Sequence, residues 1–560
     1  MIVHCWITEM NIIALWSCVV FAVDMFISVG CQPVFLKTKN GVIKGRILKS
    51  RDGRPYHSYT GIPYAKPPIQ RLRFMPPESA EPWNGTWDAT KEPNICIQEG
   101  YVDGYEDCLY LNVYAPETDK KRLPVIFWIH GGGFTWGHSG SGLFGPAYFM
   151  DKDVVLVTIN YRLGILGFLS TEDDVLPGNY GMKDQVLALR WVRENIITFN
   201  GDPDQVTICG GSAGSASVGF HMLSPMSKGL FHKAILQSGS PVCIWANCPS
   251  GVSRKRAYSV ATIAGCNFNN SEDILNCLRI LPAKYLQSEM HTKLFTWLKY
   301  PAILFSPVVE NCKSRQEAFL CHHPIYDFQQ ESFVPAIIGM NSAEGGLMAI
   351  PLYNRTSLLY TEFSEDFNRL WPIISGYNFY VTPENIHKIV DKIRKKYYPS
   401  GSINDDSHSE TVKMFTDSIF TKCVFEMAYQ LSSPVYGYIY NYQNEFSHNK
   451  IYGSCDKPLG VTHGDEMNSL FKMNDLNPIE LNEEDLKVSK LMINIWYKFV
   501  STDIPTVDGL ENSTPWSKFT QSDQSIMYVD SDRPVLIKNP YVDVYEFWKK
   551  LPITSIKKKL

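Results

Sequence analysis

Long apolar runs without alternation dominate the middle of the chain. Residues 123–130 read LPVIFWIH and are followed by three glycines; residues 154–160 read VVLVTIN. A third run, 205–209, ends on Gly210-Gly211, and others lie at 231–237 (FHKAILQ), 334–338 and 435–440. Strands buried on both faces of a parallel sheet read this way. Earlier strands are predicted at 42–46 and 109–114. Between 181 and 199, Val186, Leu189, Val192 and Ile196 recur at helical spacing, and residues 213–223 predict a second helix. Strands alternating with helices predict an α/β fold with a doubly wound, mostly parallel sheet. The stretch 249–430 mixes polar and apolar residues and reads as largely helical insertions over the sheet's edge. No repeat, low-complexity segment or linker divides the chain, so one catalytic domain is expected over 31–560.

The N-terminal pattern differs. Residues 11–23, NIIALWSCVVFAV, have the length of a signal-peptide apolar core, and Ser28-Val29-Gly30 offers small residues for cleavage before Cys31. The first ten residues carry no Lys or Arg, so Met10 is an alternative start. The apolar run is too short to span a bilayer comfortably, and no later segment has 18 consecutive apolar residues. A signal over 1–30, with secretion and no stable membrane span, is the expectation. The polar C-terminus, TSIKKKL, offers no lipid-anchor tail.

Composition narrows the options. A chain of 560 residues can bury a large core without a metal. The formal charge is −4, and basic residues gather only in triplets such as Arg254-Lys255-Arg256, which argues against nucleic-acid binding. Fourteen cysteines are present, eleven of them beyond Cys31. A secreted chain lets some pair. Two short, polar, turn-rich loops stand out, Cys96 to Cys108 and Cys266 to Cys277, with Cys312–Cys321 and Cys243–Cys248 as weaker pairs. No Cys-x-x-Cys pair suggests zinc, and Cys321-His322-His323 reads as loop. Glycosylation sequons occur at Asn84, Asn269, Asn354 and Asn512.

The sharpest chemical feature is Gly210-Gly211-Ser212-Ala213-Gly214, a Gly-x-Ser-x-Gly element between an apolar strand and a helix. That context is what a nucleophile elbow needs: glycines where a Cβ would collide, and a serine oxygen projecting from the strand's end. A serine hydroxyl needs a base, an orienting acid and donors for an oxyanion. His130-Gly131-Gly132-Gly133, directly after an apolar strand, is a candidate for the donors. In this arrangement acid and histidine follow the serine in that order. Nine histidines lie after Ser212. His463, in the loop Gly460-Val461-Thr462-His463-Gly464-Asp465-Glu466, is one option. Glu344, in Asn341-Ser342-Ala343-Glu344-Gly345-Gly346, is one option for the acid. Spacing alone leaves both open.

Taken in order, several motifs resemble the type B carboxylesterase family, which includes cholinesterases, juvenile-hormone esterases and insect esterases. They are Glu106-Asp107-Cys108-Leu109-Tyr110-Leu111-Asn112-Val113, His130 to Phe134, Asn160-Tyr161-Arg162, Gly178-Asn179-Tyr180-Gly181 with Asp184-Gln185, the elbow, Gln237-Ser238-Gly239-Ser240, Glu344-Gly345, and Gly460-x-x-His463-x-x-Glu466. The resemblance runs from about Val34 to near the C-terminus. It implies the α/β-hydrolase fold and a triad of Ser212, Glu344 and His463. It also implies an oxyanion hole of Gly132, Gly133 and Ala213 N–H groups, and disulfides Cys96–Cys108 and Cys266–Cys277. Ser238 resembles a supporting serine near the acid, and Trp245 a residue lining the acyl pocket.

Two departures narrow the substrate. Gly211 stands where cholinesterases carry a glutamate and juvenile-hormone esterases a glutamine; Ser215 stands where a further glycine is usual. The expectation is a general, non-cholinergic carboxylesterase acting by acyl transfer on a small-molecule ester, with no cofactor or metal. A catalytically silent adhesion relative, a juvenile-hormone-type esterase and a lipid esterase are the alternatives. Oligomeric state is not readable from the sequence.

Overall fold

A computed structural model describes residues 33–99, 104–290, 292–300, 302–313, 317–327, 334–354, 359–448, 457–476, 480–507 and 516–553. The expected signal segment 1–30 and Asn512 lie outside these residues. The strands are β1 (Pro33–Lys37), β2 (Val42–Lys49), β3 (Pro55–Pro63), β4 (Thr86–Asp88), β5 (Tyr110–Pro116), β6 (Leu123–Ile129) and β7 (Val155–Ile159). They continue with β8 (Gly201–Gly211), β9 (Lys233–Gln237), β10 (Ala336–Asn341), β11 (Val435–Tyr440), β12 (Ser525–Val529) and β13 (Val535–Lys538). One sheet joins them in the order β1-β2-β3-β5-β7-β6-β8-β9-β10-β11-β12-β13, with β4 beside β2. From β7 to β12 every neighbouring pair is parallel; the flanking pairs are antiparallel except β2 with β4, which is parallel. The mostly parallel central sheet is the one the apolar runs predict, and the architecture is the α/β-hydrolase fold that the family resemblance implies.

The central strands lack alternation because both their faces are covered. Val125, Phe127 and Ile129 of β6 pack into one core with the helices Tyr180–Asn195 and Ala213–Leu223. Ile126 and Trp128 pack into a second core with the helix Glu483–Thr502. The expected helix at 213–223 is observed with those bounds. The one expected over 181–199 ends at Asn195 and tightens into a 3₁₀ turn, Ile196–Phe199. Strand β10 starts two residues later than expected, at Ala336, and runs to Asn341. Strands β1, β3, β4, β12 and β13, towards the two ends of the sheet, escaped the pattern. Strands β1 and β13 are largely exposed, so no long apolar run marks them.

The insertions between 249 and 430 form a third core around Trp371, Tyr377 and Trp548. Buried ion pairs hold the first helix to its surroundings. Arg162 donates through Nε and Nη2 to Asp184 (2.8 and 2.7 Å), and Lys183 Nζ meets Glu310 at 2.7 Å. Breaking a buried pair leaves an uncompensated charge, which fixes the loop after β7 against this helix. Among the described residues, no helix is long and apolar enough to cross a membrane.

Among the described residues, four disulfides form. Cys96–Cys108 and Cys266–Cys277 pair as expected, and so does the weaker candidate Cys312–Cys321. The Cys243–Cys248 pair is overturned: Cys243 bonds Cys423, 180 residues on, and Cys248 is a free thiol. The reason is local geometry. The Cys243 N–H closes a turn onto the Ser240 carbonyl (3.1 Å) directly after β9, beside the start of the helix Lys422–Gln430. Cys248 instead faces the main cavity. The Cys243–Cys423 bridge closes by far the longest loop. Replacing both cysteines by alanine should cost about 2–5 kcal/mol of stability, read as a lower urea midpoint. The same change at Cys312 and Cys321 should cost less; an equal or greater loss there would contradict this assignment.

Candidate active site

The site is built at the C-terminal ends of neighbouring parallel strands. Strand β8 ends at Gly211, and Ser212 bridges it to the helix Ala213–Leu223 with φ 57° and ψ −121°. A non-glycine residue at positive φ is strained and needs surrounding structure to hold it. Here the Ser212 N–H donates to the Gln237 carbonyl of β9 (2.7 Å), and the Ser212 carbonyl accepts from Ala216 N (2.9 Å). Gly214 is required by packing: a Cβ there would strike the Ile129 carbonyl at the end of β6.

The loop after β6 lies beside this turn. Gly132 has φ 99°, and a side chain on it would collide with the Trp136 carbonyl. Its carbonyl accepts from Thr135 and Trp136 N–H groups (2.9 and 3.0 Å). The Gly132 and Gly133 N–H groups have no protein acceptor among the described residues, and both glycines line the cavity that Ser212 faces. His130 is buried and stacked on Tyr161 (4.4 Å between centroids), and burial drops its pKa to about 3. It is therefore a neutral wall of the loop.

Strands β9 and β10 supply the carboxylate. Glu344, fully buried just past β10, accepts from Asn341 N (2.7 Å) and from the Ser238 hydroxyl through one oxygen. Its other oxygen lies 2.5 Å from His463 Nδ1. Burial disfavours charge on His463, but Glu344, with Glu466 and Asp465 nearby, outweighs this and holds its pKa above the ordinary 6.5. Phe420 packs on the imidazole (4.8 Å), and Trp245 packs on Phe420 (6.2 Å) while donating to the Ile419 carbonyl (3.2 Å). The structure thus gathers Ser212, His463, Ser238, Trp245, Gly132 and Gly133 around one cavity of about 790 Å³, with Glu344 behind His463. Aromatic and aliphatic side chains make up most of its wall, among them Trp136, Phe144, Phe295, Ile303 and Leu347.

Among the described residues, no group of three or more His, Cys, Asp or Glu side chains is placed to hold a metal. Cys321 is committed to its disulfide and His323 to Asn247 (2.9 Å).

A model of the carboxylesterase family matches residues 32–548. Esterase FE4 of Myzus persicae is 36% identical over 520 residues, covering 88% of this chain and 90% of that protein. Juvenile hormone esterase of Tribolium castaneum is 37% identical over 487 residues, covering 82% of each chain. The crystal structure of juvenile hormone esterase from Manduca sexta, with OTFP covalently attached, matches with a TM-score of 0.83 at 26% identity. It covers 93% of this chain and 99% of that one. The chain belongs to the carboxylesterase family. This carboxylesterase is accordingly a carboxylic ester hydrolase.

Two buried groups had no role in the sequence reading. Glu466, within the histidine-loop motif, accepts from Asn341 Nδ2 and lies 3.4 Å from the Ser238 hydroxyl. Burial, reinforced by the Glu344 charge, raises its pKa from an ordinary 4.5 to about 7. Asp465 accepts from His448 N (2.6 Å) and Thr462 N (2.7 Å), shaping the loop that presents His463. The motif contained both residues, but spacing does not reveal that they are sealed beneath the histidine.

The carboxylesterase should show the Glu466 shift in its stability. The folded state holds the Glu466 proton more tightly than the unfolded chain. Its contribution is therefore most favourable below about pH 4.5 and is lost as pH rises towards about 7. Glu466→Gln, neutral throughout, should lose less stability than wild type between those values, measured as denaturant midpoints across pH. Parallel curves for the two proteins would contradict the shift.

Proposed function

We propose that this carboxylesterase hydrolyses small, non-cholinergic carboxylic esters by two-step acyl transfer at Ser212. One observation carries the reading. An imidazole held by a buried carboxylate (His463 Nδ1 to Glu344 Oε2, 2.5 Å) shares a cavity with a serine on a strained strand-to-helix turn. His463 takes the Ser212 proton as the oxygen attacks the ester carbonyl carbon, while Glu344 fixes the imidazole's orientation and stabilises its charged form. The carbonyl oxygen's negative charge is received by the Gly132, Gly133 and Ala213 N–H groups. His463 then returns the proton to the leaving alcohol. Water, deprotonated by His463, repeats the attack on the acyl-enzyme and releases the acid. Ser238 is a positioning residue, its hydroxyl fixing the Glu344 oxygen that does not face His463.

The wall of the cavity refines the substrate. With Gly211 before the nucleophile, no carboxylate stands there to draw a cationic substrate, so choline esters have no advantage. Trp245, with Phe420, forms the wall beside the acyl group. Retention of serine, acid and histidine together disfavours a silent adhesion role. We further read the protein as secreted, one catalytic unit following a removed N-terminal signal. The four disulfides fit an oxidising compartment. Asn84 and Asn269 are exposed as glycan sites require, and Asn354 is half-buried.

Purified protein should hydrolyse 4-nitrophenyl butyrate and be labelled at Ser212 by an organophosphate, located by mass spectrometry. Ser212→Ala should lower kcat by a factor on the order of 10⁴ or more. Butyrylthiocholine should be no better a substrate than an uncharged thioester of similar size. Full activity in Ser212→Ala would rule the mechanism out.

A further inference from the structure

Arg256 belongs to a basic triplet on the helix Val252–Ile263, but the three residues part company. Arg254 and Lys255 are exposed, whereas Arg256 turns inward and lines the catalytic cavity. Its guanidinium donates through Nη1 to the Leu304 carbonyl, lies 3.7 Å from the Cys248 sulfur, and sits over the Phe379 ring (4.9 Å). Among the described residues no carboxylate is within ion-pair distance, and Nε and Nη2 have no protein acceptor.

Arg256 is half-buried, with its unbonded N–H groups open to the cavity; a partly desolvated cation without a counter-ion is costly, and a backbone carbonyl with a ring face compensates only part of that cost. The neighbours do not supply the missing charge. Burial pushes the Cys248 thiol up to about 11 and holds the Tyr380 phenol well above its ordinary value, so both are neutral at physiological pH. Glu172, close enough to act on Cys248, spends its carboxylate on Gly251 N (2.8 and 2.7 Å) at the start of the helix. The other ion pair on the cavity wall, Lys299–Glu99 (2.7 Å), is exposed and self-neutralising. An arginine remains charged even when burial lowers its pKa.

The position of Arg256 follows from the chain. A Cβ on Gly239 would meet both the Ser212 carbonyl (2.6 Å) and the Trp245 ring (3.1 Å), which places the indole beside the nucleophile. From Trp245 the cavity wall continues through Asn247, Cys248 and Pro249 to Arg256. An acyl chain that starts at Ser212 and runs along Trp245 meets an apolar wall and then a guanidinium. We propose that Arg256 reads the distal end of the acyl chain, so that the preferred substrates are esters whose acid part ends in a carboxylate, that is, half-esters of dicarboxylic acids. This rests on the assignment of Ser212 as nucleophile and Trp245 as acyl wall, and refines the non-cholinergic class proposed above.

The test compares mono-4-nitrophenyl esters of succinic, adipic and suberic acid with 4-nitrophenyl butyrate, hexanoate and octanoate. Each pair matches in chain length and differs in the terminal group. At the chain length that reaches Arg256, wild type should favour the anionic member in kcat/KM. Arg256→Met should lower the anionic-to-neutral ratio about tenfold to a hundredfold, and Arg256→Lys should retain more of it than Met. Organophosphate titration of Ser212 counts folded sites in each variant. A ratio unchanged by Arg256→Met at every length, or a wild-type preference for the neutral ester at every length, overturns the proposal. Hydrolysis of the neutral esters that survives Ser212→Ala would instead overturn the nucleophile assignment, a separate outcome.

Discussion

The catalytic architecture depends on one steric constraint, the contact of the elbow's backbone with the end of β6. Gly214 sits where any side chain would enter the Ile129 carbonyl, and Ser212 is held at positive φ by bonds to Gln237 and Ala216. Because β6 and β8 are adjacent and parallel, their C-terminal loops emerge side by side. The next strands extend the row. Ser238 follows β9, Glu344 follows β10, and His463 lies in the chain after β11. Neighbouring strands therefore deliver the groups of the proposed mechanism in their order across the sheet. The twist and spacing of the sheet set the distances, and the loops need only complete them.

Electrostatics divides the site into two zones. Beneath His463 lies a sealed acidic cluster, Glu344, Glu466 and Asp465, in which burial raises the pKa of Glu466 to about 7 and of Asp465 to about 6. Burial in a low dielectric, with like charge from Glu344 nearby, makes Glu466 and Asp465 hold their protons to higher pH than ordinary carboxyls. Above the histidine the cavity is mainly aromatic and aliphatic. In the proposed mechanism the charge that steadies an imidazolium at His463 comes from behind the ring, leaving the substrate side free for the ester carbonyl.

The central strands were legible because burial on both faces of β6 to β11 abolishes alternation. The turn that carries Ser212 was legible because its glycines and flanking elements are local in sequence. Edge strands were not, since β1 and β13 bury little. Glu344 and His463 were left open by spacing, because 132 and 251 residues separate them from Ser212 (344 − 212 and 463 − 212) and only the fold brings them together; family motifs supplied the choice. Arg256 stands in a basic triplet whose members are rotated about 100° from one another around the helix, so that it alone of the three lines the cavity. Cys243 was paired with its nearest partner in sequence, while its partner in space comes from an insertion helix.

That last pairing bears on how the chain matures. Three bridges span 9 to 12 residues and can close as soon as each loop leaves the ribosome. The fourth must wait until residue 423 has been made, and meanwhile Cys248, five residues from Cys243, is a nearer thiol. Closing a short loop is faster than closing a long one, so a Cys243–Cys248 bond is the kinetic rival of the native bridge. Escape from it requires thiol–disulfide exchange while both sulfurs remain accessible. Reaching the native bridge therefore depends on such exchange, independently of the stability of the finished fold.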